Sequence, residues 1–412
     1  MQSEWRTFPL EDCLDALIDY RGKTPKKTEA GIPLITAKVV KDGRLEKPTE
    51  FIAEQDFHTW MTRGMPRIGD VVLTTEAPLG EVAQIDRLPV ALAQRIVTLR
   101  GKAGILDSDY LLYAMQSEPV QAQLRGRSSG TTVVGIKQSE LRRVTLDLPP
   151  LDQQLEAAAT LKSLDRRLEL LRETNATLES IAQALFKSWF IDFDPVRAKA
   201  EGREPEGMDA DTAALFPADF EETTVGPIPK GWRIGTVEDL FVLQRGFDLP
   251  ASQRTDGPFT VFAASGPHGA HHEPMVRGPG VVTGRSGVIG RVFFCHDDFW
   301  PLNTSLWVKQ FKAATAPYAY QYLRTMDLAR LNAGSAVPTL NRNHVHAQPA
   351  VVPSAEPVGA FTAISTPLLQ RIRANEQQAA VLAELRDTLL PRLISGKLRL
   401  REAEEQAEAA LA

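Results

Sequence analysis

The chain is poor in the features that usually announce a chemistry. It has only two cysteines in 412 residues, Cys13 and Cys295, one in each half. A disulfide framework is therefore not indicated, and a reducing cytoplasm fits. Two isolated thiols read as packing residues rather than as a metal site or a nucleophile. No run of about 18 apolar residues exists, which excludes an ordinary membrane span. The opening MQSEWRTFPLEDC lacks a basic segment followed by an apolar run, so no secretory signal is expected. Gly22-Lys23-Thr24 ends like a phosphate loop, but Leu17 stands where the upstream glycine belongs. Ser286-Gly287-Val288-Ile289-Gly290 is glycine-rich in a strand-turn-strand setting that does not suit a dinucleotide. The Asn/Asp-Pro-Pro-aromatic sequence of base amino-methylation is missing. His268, His271, His272 and Glu273 crowd together without a helical i, i+4 histidine pair or a cysteine partner. They read as a polar recognition loop. No catalytic residue, metal ligand or bound cofactor is expected.

What the chain does have is a duplication. Residues 130–189 and 334–393 follow one pattern, 204 positions apart. Gly130 matches Gly334, Ile136 matches Leu340, Pro149 matches Pro353, Leu164 matches Leu368 and Leu178 matches Leu382. The period is far longer than the roughly 20–50 residues of a solenoid unit. It marks a duplicated domain-plus-helix module. Two similar heads on two similar helices suit an object touched in two places.

Each copy passes from a globular segment through a proline into a helical period. Leu161, Leu164, Leu168, Leu171, Asn175, Leu178, Ala182, Leu185 and Trp189 keep a 3/4 spacing, which is a heptad seam. Leu368, Ile372, Asn375, Ala379, Leu382, Leu389 and Leu393 repeat it. Arg386 interrupts the second seam, where Leu385 is expected to substitute, and Pro367 leaves the start of that helix open. The seam asparagines Asn175 and Asn375 would set register at some cost in stability. The first head reads as short strands (Ile32–Thr36, Val71–Thr75, Glu81–Ile85, Gln94–Leu99) and one helix, Asp109–Leu124. The expected fold class is α+β. Two similar α/β heads, 1–150 and 225–352, are joined by two long helices, 151–195 and 353–400. The helices pack as an antiparallel coiled coil with pseudo-two-fold internal duplication. A linker, 196–224, separates the copies, and an acidic tail, 401–412, ends the chain.

The formal net charge of −5 is unlike that of a typical nucleic-acid binder, but the charge is uneven. Residues 225–352 hold 12 Lys and Arg against 8 Asp and Glu, and six of the seven histidines. The excess acid lies on the helices, linker and tail. Local field decides phosphate contact, so the heads can bind DNA. Candidate DNA-binding residues on loops are Arg21, Lys23, Lys26, Lys27, Arg63, Arg125, Arg127 and Lys137 in the first head. In the second they are Arg245, His268, His271, Arg285, Asn341, Arg342, Asn343 and His344. The loops 125–137 and 332–344 carry more weight as a pair, because they occupy equivalent positions in the two copies. Phe186 and Phe190 fall beside the seam and Trp189 within it. With Leu393 they are the candidate partner-binding residues, on the expectation that aromatics flanking a seam stand exposed.

The stretches Leu148-Pro149-Pro150-Leu151-Asp152-Gln153-Gln154, Leu178 to Val196 and Leu385 to Leu398 resemble the specificity subunit of type I restriction-modification systems, over nearly the whole chain. Gly69-Asp70-Val71-Val72-Leu73 and Gly280-Val281-Val282 with Gly287 resemble core strands of its two target-recognition domains. The second junction, Val352-Pro353-Ser354-Ala355-Glu356, departs from the family by lacking the glutamine pair. The resemblance implies a non-catalytic subunit whose heads each read one half of a split, asymmetric double-stranded DNA site. It implies adenine-methyltransferase subunits docked on the helices, with S-adenosylmethionine on those partners, and a motor-nuclease restriction subunit joined through them. It implies cytoplasmic location. A two-headed reader meets half-sites about one turn, ~34 Å, apart. The competing class is a coiled-coil scaffold whose heads bind protein; salt dependence of DNA binding separates the two.

Overall fold

The computed structural model describes residues 5–130, 133–398 and 400–411. The chain divides into two compact units, residues 1–170 with 378–412, and residues 171–377. Each unit contains one head and one half of each long helix.

The first head is built on an antiparallel four-stranded sheet in the order Leu14–Asp19, Ile96–Gly101, Val71–Thr75, Leu79–Gln84. Val71–Thr75 is buried at every position, and four of its five residues are β-branched, which suits a strand covered on both faces. A second small sheet pairs Ile32–Ile35 in parallel with Ala91–Leu92 and antiparallel with Phe51–Ile52. Arg6–Pro9 pairs with Thr145–Leu148, which closes the head just before the first long helix. The segment expected to form one helix over 109–124 forms two, Ser108–Gln116 and Glu118–Gly126. Ser117 between them is extended, and Pro119, which lacks an N–H, sits in the first turn of the second.

The second head repeats this plan. Its main sheet runs Phe241–Arg245, Ser305–Phe311, Gly280–Gly284, Val292–Cys295, again all antiparallel. Phe259–Ala263 pairs in parallel with Phe299–Pro301, and Arg233–Thr236 closes the head against Pro349–Val352. Thr315 caps the helix Ala316–Thr325, as Asp107 caps its counterpart in the first head. The linker carries two short helices, Asp194–Ala200 and Ala210–Ala214.

The two long helices are Leu151–Phe190 and Ala355–Ile394, each of 40 residues. Pro367 lies inside the second and does not end it. The two run in opposite directions. In the first unit Arg386 Nη1 meets Asp165 at 3.1 Å. In the second unit Asn375 Nδ2 donates to Asn175 Oδ1 at 2.7 Å, and Asn175 Nδ2 donates to the Ile372 carbonyl at 3.3 Å. Arg386 therefore reaches the facing helix, where Asp165 meets it. Tyr113 of the first head donates to the same Asp165 at 2.8 Å. The second unit answers with Tyr320, which donates to Glu179 at 3.0 Å, beside an ion pair between Arg324 and Glu179. In both units a head-helix tyrosine anchors the first long helix by a carboxylate.

Candidate nucleic-acid interface

The 204-residue repeat returns as backbone geometry. In the first head the Ile136 N–H donates to the Thr75 carbonyl at 3.0 Å; in the second the Leu340 N–H donates to the Arg285 carbonyl at 2.7 Å. Each bond fixes the duplicated loop to the end of the equivalent core strand, Val71–Thr75 or Gly280–Gly284. Adding a Cβ to Gly130 would place it 2.1 Å from the Val133 carbonyl oxygen, and to Gly334 2.0 Å from that of Val337. Both loops need glycine for the same close approach of backbone.

In the first head this anchoring gathers cations. Arg21 follows the strand Leu14–Asp19 and chelates Asp19, with Nη2 to Oδ2 at 2.6 Å. Its Nη1 donates to the Ile136 carbonyl at 2.7 Å, which ties the 21–27 turn to the loop. Arg63 Nη1 donates to the Asp19 and Arg21 carbonyls at 2.9 and 2.8 Å. Arg21 and Arg63 are thereby brought beside Lys137, which is exposed. Lys23, Lys26 and Lys137 make no ion pair among the described residues. Lys27 instead pairs with Glu50 at 2.8 Å, and that contact holds the Glu50 carboxyl below its ordinary range. Arg125 is paired with Glu118, and Arg127 with Glu140 at 3.4 Å. Arg95, which the sequence did not single out, pairs with Glu76 at 3.2 Å, and Glu76 bridges to Gly135 of the loop. No local motif marks Arg95; only strand pairing brings it there.

The second head builds a matching cluster from different residues. Arg245 ends the strand equivalent to Leu14–Asp19 and pairs with Asp248 at 3.4 Å. Asn303 also donates to Asp248, and its carbonyl accepts from Arg285 Nη1 at 3.1 Å. Asn341 caps the short helix Arg342–His346, its Oδ1 accepting from the Asn343 N–H at 2.9 Å. Arg342, Asn343 and His344 are exposed, and Arg342 has no ion pair among the described residues. His268 is exposed as well. His271 is not: it is buried, accepts from the Thr255 N–H at 3.3 Å and packs edge-on against Trp300. It holds its loop from inside and is withdrawn from the reading surface.

A second correction concerns the aromatics of the first long helix. Phe186, Trp189 and Phe190 are 0%, 4% and 5% exposed, not on an open flank. Phe190 stacks on Trp232 at 5.9 Å, Phe186 meets Tyr318 and Phe361 at 5.0 and 5.6 Å, and Trp189 meets Phe216 at 5.0 Å. They form the core that joins the helix to the second head. Leu393 is likewise buried. The seam expectation missed this because Phe186, one residue off the heptad position Leu185, is covered both by Tyr318 of the head and by Phe361 of the other helix. Exposed apolar side chains on the helices include Leu155 and Val381 in the first unit, and Ile181 and Ile364 in the second.

The described residues contain no group of three or more His, Cys, Asp or Glu placed to hold a metal ion. Burial pushes the Cys13 thiol up to about 11 and that of Cys295 well above its ordinary value. Neither supplies a thiolate nucleophile near neutral pH. No helix among the described residues is long and apolar enough to cross a membrane.

Residues 2–180 match the type I restriction modification DNA specificity domain. The chain is 25% identical over 370 residues to the MjaIX type I restriction enzyme specificity subunit of Methanocaldococcus jannaschii, covering 81% of this chain and 78% of that one. It is 24% identical over 378 residues to the HindI specificity subunit of Haemophilus influenzae, covering 74% and 81%. In fold it is similar to the crystal structure of a type I restriction-modification S subunit from M. genitalium, with TM-score 0.61 at 17% identity over 94% of this chain and 96% of that one. Two heads of one topology, a match to the specificity domain over residues 2–180 and relatives aligned over most of the chain point the same way: the chain is similar to the specificity subunits of type I restriction-modification systems.

Proposed function

We propose that this chain reads a bipartite, asymmetric double-stranded DNA site, one head per half-site, and performs no chemistry of its own. The observation that carries the reading is the duplicated loop. In both heads it is bonded to the equivalent core strand and bordered by a cation, Lys137 in one and Arg342 in the other, that makes no ion pair among the described residues. The residues around the loops differ, as two readers of different half-sites require. The two opposed helices carry the heads and dock adenine-methyltransferase subunits, which bring S-adenosylmethionine. Exposed Leu155 and Val381, and exposed Ile181 and Ile364, replace the buried aromatics as the docking residues. The motor-nuclease restriction subunit joins through those partners, in the cytoplasm.

The test is a map of methylated adenines in cells expressing this chain with its methyltransferase. A two-part motif is expected. Changing Arg342 and Asn343 together to Ala relaxes one half of that motif, and changing Lys137 to Ala weakens occupancy without touching that half. A single continuous motif, DNA binding indifferent to salt, or equal relaxation of both halves by the Arg342/Asn343 change would overturn the reading.

A further inference from the structure

The duplicated loops hold apolar side chains out in water. Val133 and Val134 are 50% and 48% exposed, and Val337, the counterpart of Val133, is 53% exposed. Val288 in the second head is 40% exposed, and its neighbour Gly287 donates to the Pro338 carbonyl at 2.9 Å, which brings it to the same tip.

Hydrogen bonds staple the chain beside these valines. In the second head Asn332 Oδ1 accepts from the N–H groups of Gly334 and Thr339 at 2.9 and 2.8 Å, and Asn332 Nδ2 donates to the Gly334 carbonyl at 3.0 Å. Thr339 Oγ1 donates to the Val337 carbonyl at 3.0 Å. In the first head Ser129 and Gly135 exchange two backbone bonds at 2.9 and 3.0 Å. The glycines at 130 and 334 allow the tight return that turns each valine outward. A disordered valine would cost little, but a stapled one keeps apolar surface hydrated in every molecule, and it does so in both copies. Three residues beyond Val337 the chain is bonded to Arg285, and Arg342 follows; beyond Val133 lie Ile136, bonded to Arg21, and Lys137. An apolar tip bordered by cations matches a DNA groove, where phosphates line the rim and the thymine methyls and deoxyribose carbons offer apolar contact between the polar base edges.

We infer that Val133, Val134 and Val337 are DNA-contacting residues that enter a groove and pack on base edges or deoxyribose, while Lys137 and Arg342 hold the flanking phosphates. The inference rests on the DNA-reading function above and adds the residues that carry its apolar part. Apolar contact and phosphate contact are separable, because only the second releases counterions.

The experiment measures Kd for cognate DNA against salt concentration, using the full chain assembled with its methyltransferase. Variants are V133A/V134A, V337A, the isosteric V337T, K137A and R342A. Each apolar truncation is expected to weaken binding by about 5- to 10-fold with an unchanged slope of log Kd against log salt. K137A and R342A are expected to reduce that slope by about one. V337T keeps the shape, so a loss similar to that of V337A assigns the effect to lost apolar contact rather than to loop collapse. Thermal unfolding of each variant, unchanged from wild type, completes that control. Unchanged Kd in the valine variants, with wild type still salt-dependent, overturns the inference and leaves the DNA-reading function standing. So does loss of methyltransferase assembly with DNA affinity intact, which would make the tips protein contacts. Salt-indifferent binding by the wild-type complex would instead sink the underlying function.

Discussion

The two head-helix junctions share a backbone plan and differ in how they are filled. In the second unit the end of the first long helix presents Phe186, Trp189 and Phe190, and Phe190 stacks on Trp232. In the first unit the equivalent positions of the second helix are Leu390, Leu393 and Ile394. Trp5, which precedes the closing strand Arg6–Pro9 as Trp232 precedes Arg233–Thr236, is only partly buried. A cleft of about 340 Å³ opens there, lined by residues that include Trp5, Ala114, Val120, Leu146, Pro391 and Ile394. Ala114 occupies a place that Tyr322 fills in the second head. The difference teaches that duplication preserved strand order and hydrogen-bond anchors while side-chain volume drifted. Backbone pairing constrains every residue of a sheet, whereas a junction tolerates lost volume at a graded cost.

The sharpest way to break this comparison is to empty each junction. Phe186→Ala should destabilise the protein by about 3–5 kcal/mol, as for a fully buried aromatic. Leu390→Ala, at the matching and half-buried position, should cost about 1–2 kcal/mol. Urea unfolding of the full chain measures both; a larger loss from Leu390→Ala would show that the first junction is the tighter one.

The anchoring carboxylates offer a second comparison. Asp165→Asn weakens the Arg386 pair and the Tyr113 bond together, in a setting between exposed and buried. A loss of about 1–2 kcal/mol is expected, with a comparable loss for Glu179→Gln in the other unit. If only one of the two mattered, the tyrosine-carboxylate anchor would be a feature of one half and not of the duplicated design.

A smaller effect separates cations by their partners. Arg125 and Arg127 are already paired with Glu118 and Glu140, so changing both to Ala should shift the salt slope of DNA binding less than Lys137→Ala alone. Filter binding at four salt concentrations decides it, and a larger shift from the arginine pair would mean that DNA displaces those glutamates.

The smallest effect concerns pH and sets one half against the other. Burial holds the His346 imidazole below its ordinary pKa, and its Nε2 accepts the Leu243 N–H at 2.8 Å, which requires the neutral ring. Burial, with Arg373 nearby, lowers His296 as well. A histidine depressed in the folded state binds fewer protons there than when unfolded. Its contribution is therefore retained above the ordinary histidine value of about 6.5 and declines as pH falls below it. The first head has one histidine, His58, on its surface. Acidification from about pH 7.5 to about 5.5 should thus lower the urea midpoint through the second unit, and His346→Gln should flatten that dependence. A variant with the full wild-type pH dependence would assign the effect elsewhere.

Much of the fold was legible in the chain. Leu161, Leu164, Leu168 and Leu171 are buried in the spacing their heptads announce, and Asn175 and Asn375 do meet. Where the reading failed, a partner residue decided. Leu369 rather than Leu368 is the buried residue of its turn, and Arg386 reaches the facing helix, where Asp165 meets it. Phe186 and Phe190 look exposed on a helical wheel because the wheel contains no second head. The basic residues were equally visible, but Arg21, Lys27, Arg125, Arg127 and Arg245 turned out to be engaged within the chain, and His271 buried.

The amino-acid sequence by itself determined the duplication, the two long helices and the register-setting asparagines. These are local and periodic properties, set by residue type at a fixed spacing along one chain. The tertiary structure alone decided which cations remain without a partner, which aromatics are core and which valines stand out at the loop tips. Those are properties of neighbours in space, as close along the chain as Asp19 to Arg21 and as far as Phe361 from Phe186, and a charge or an apolar surface is available to DNA only when no nearer group has already met it.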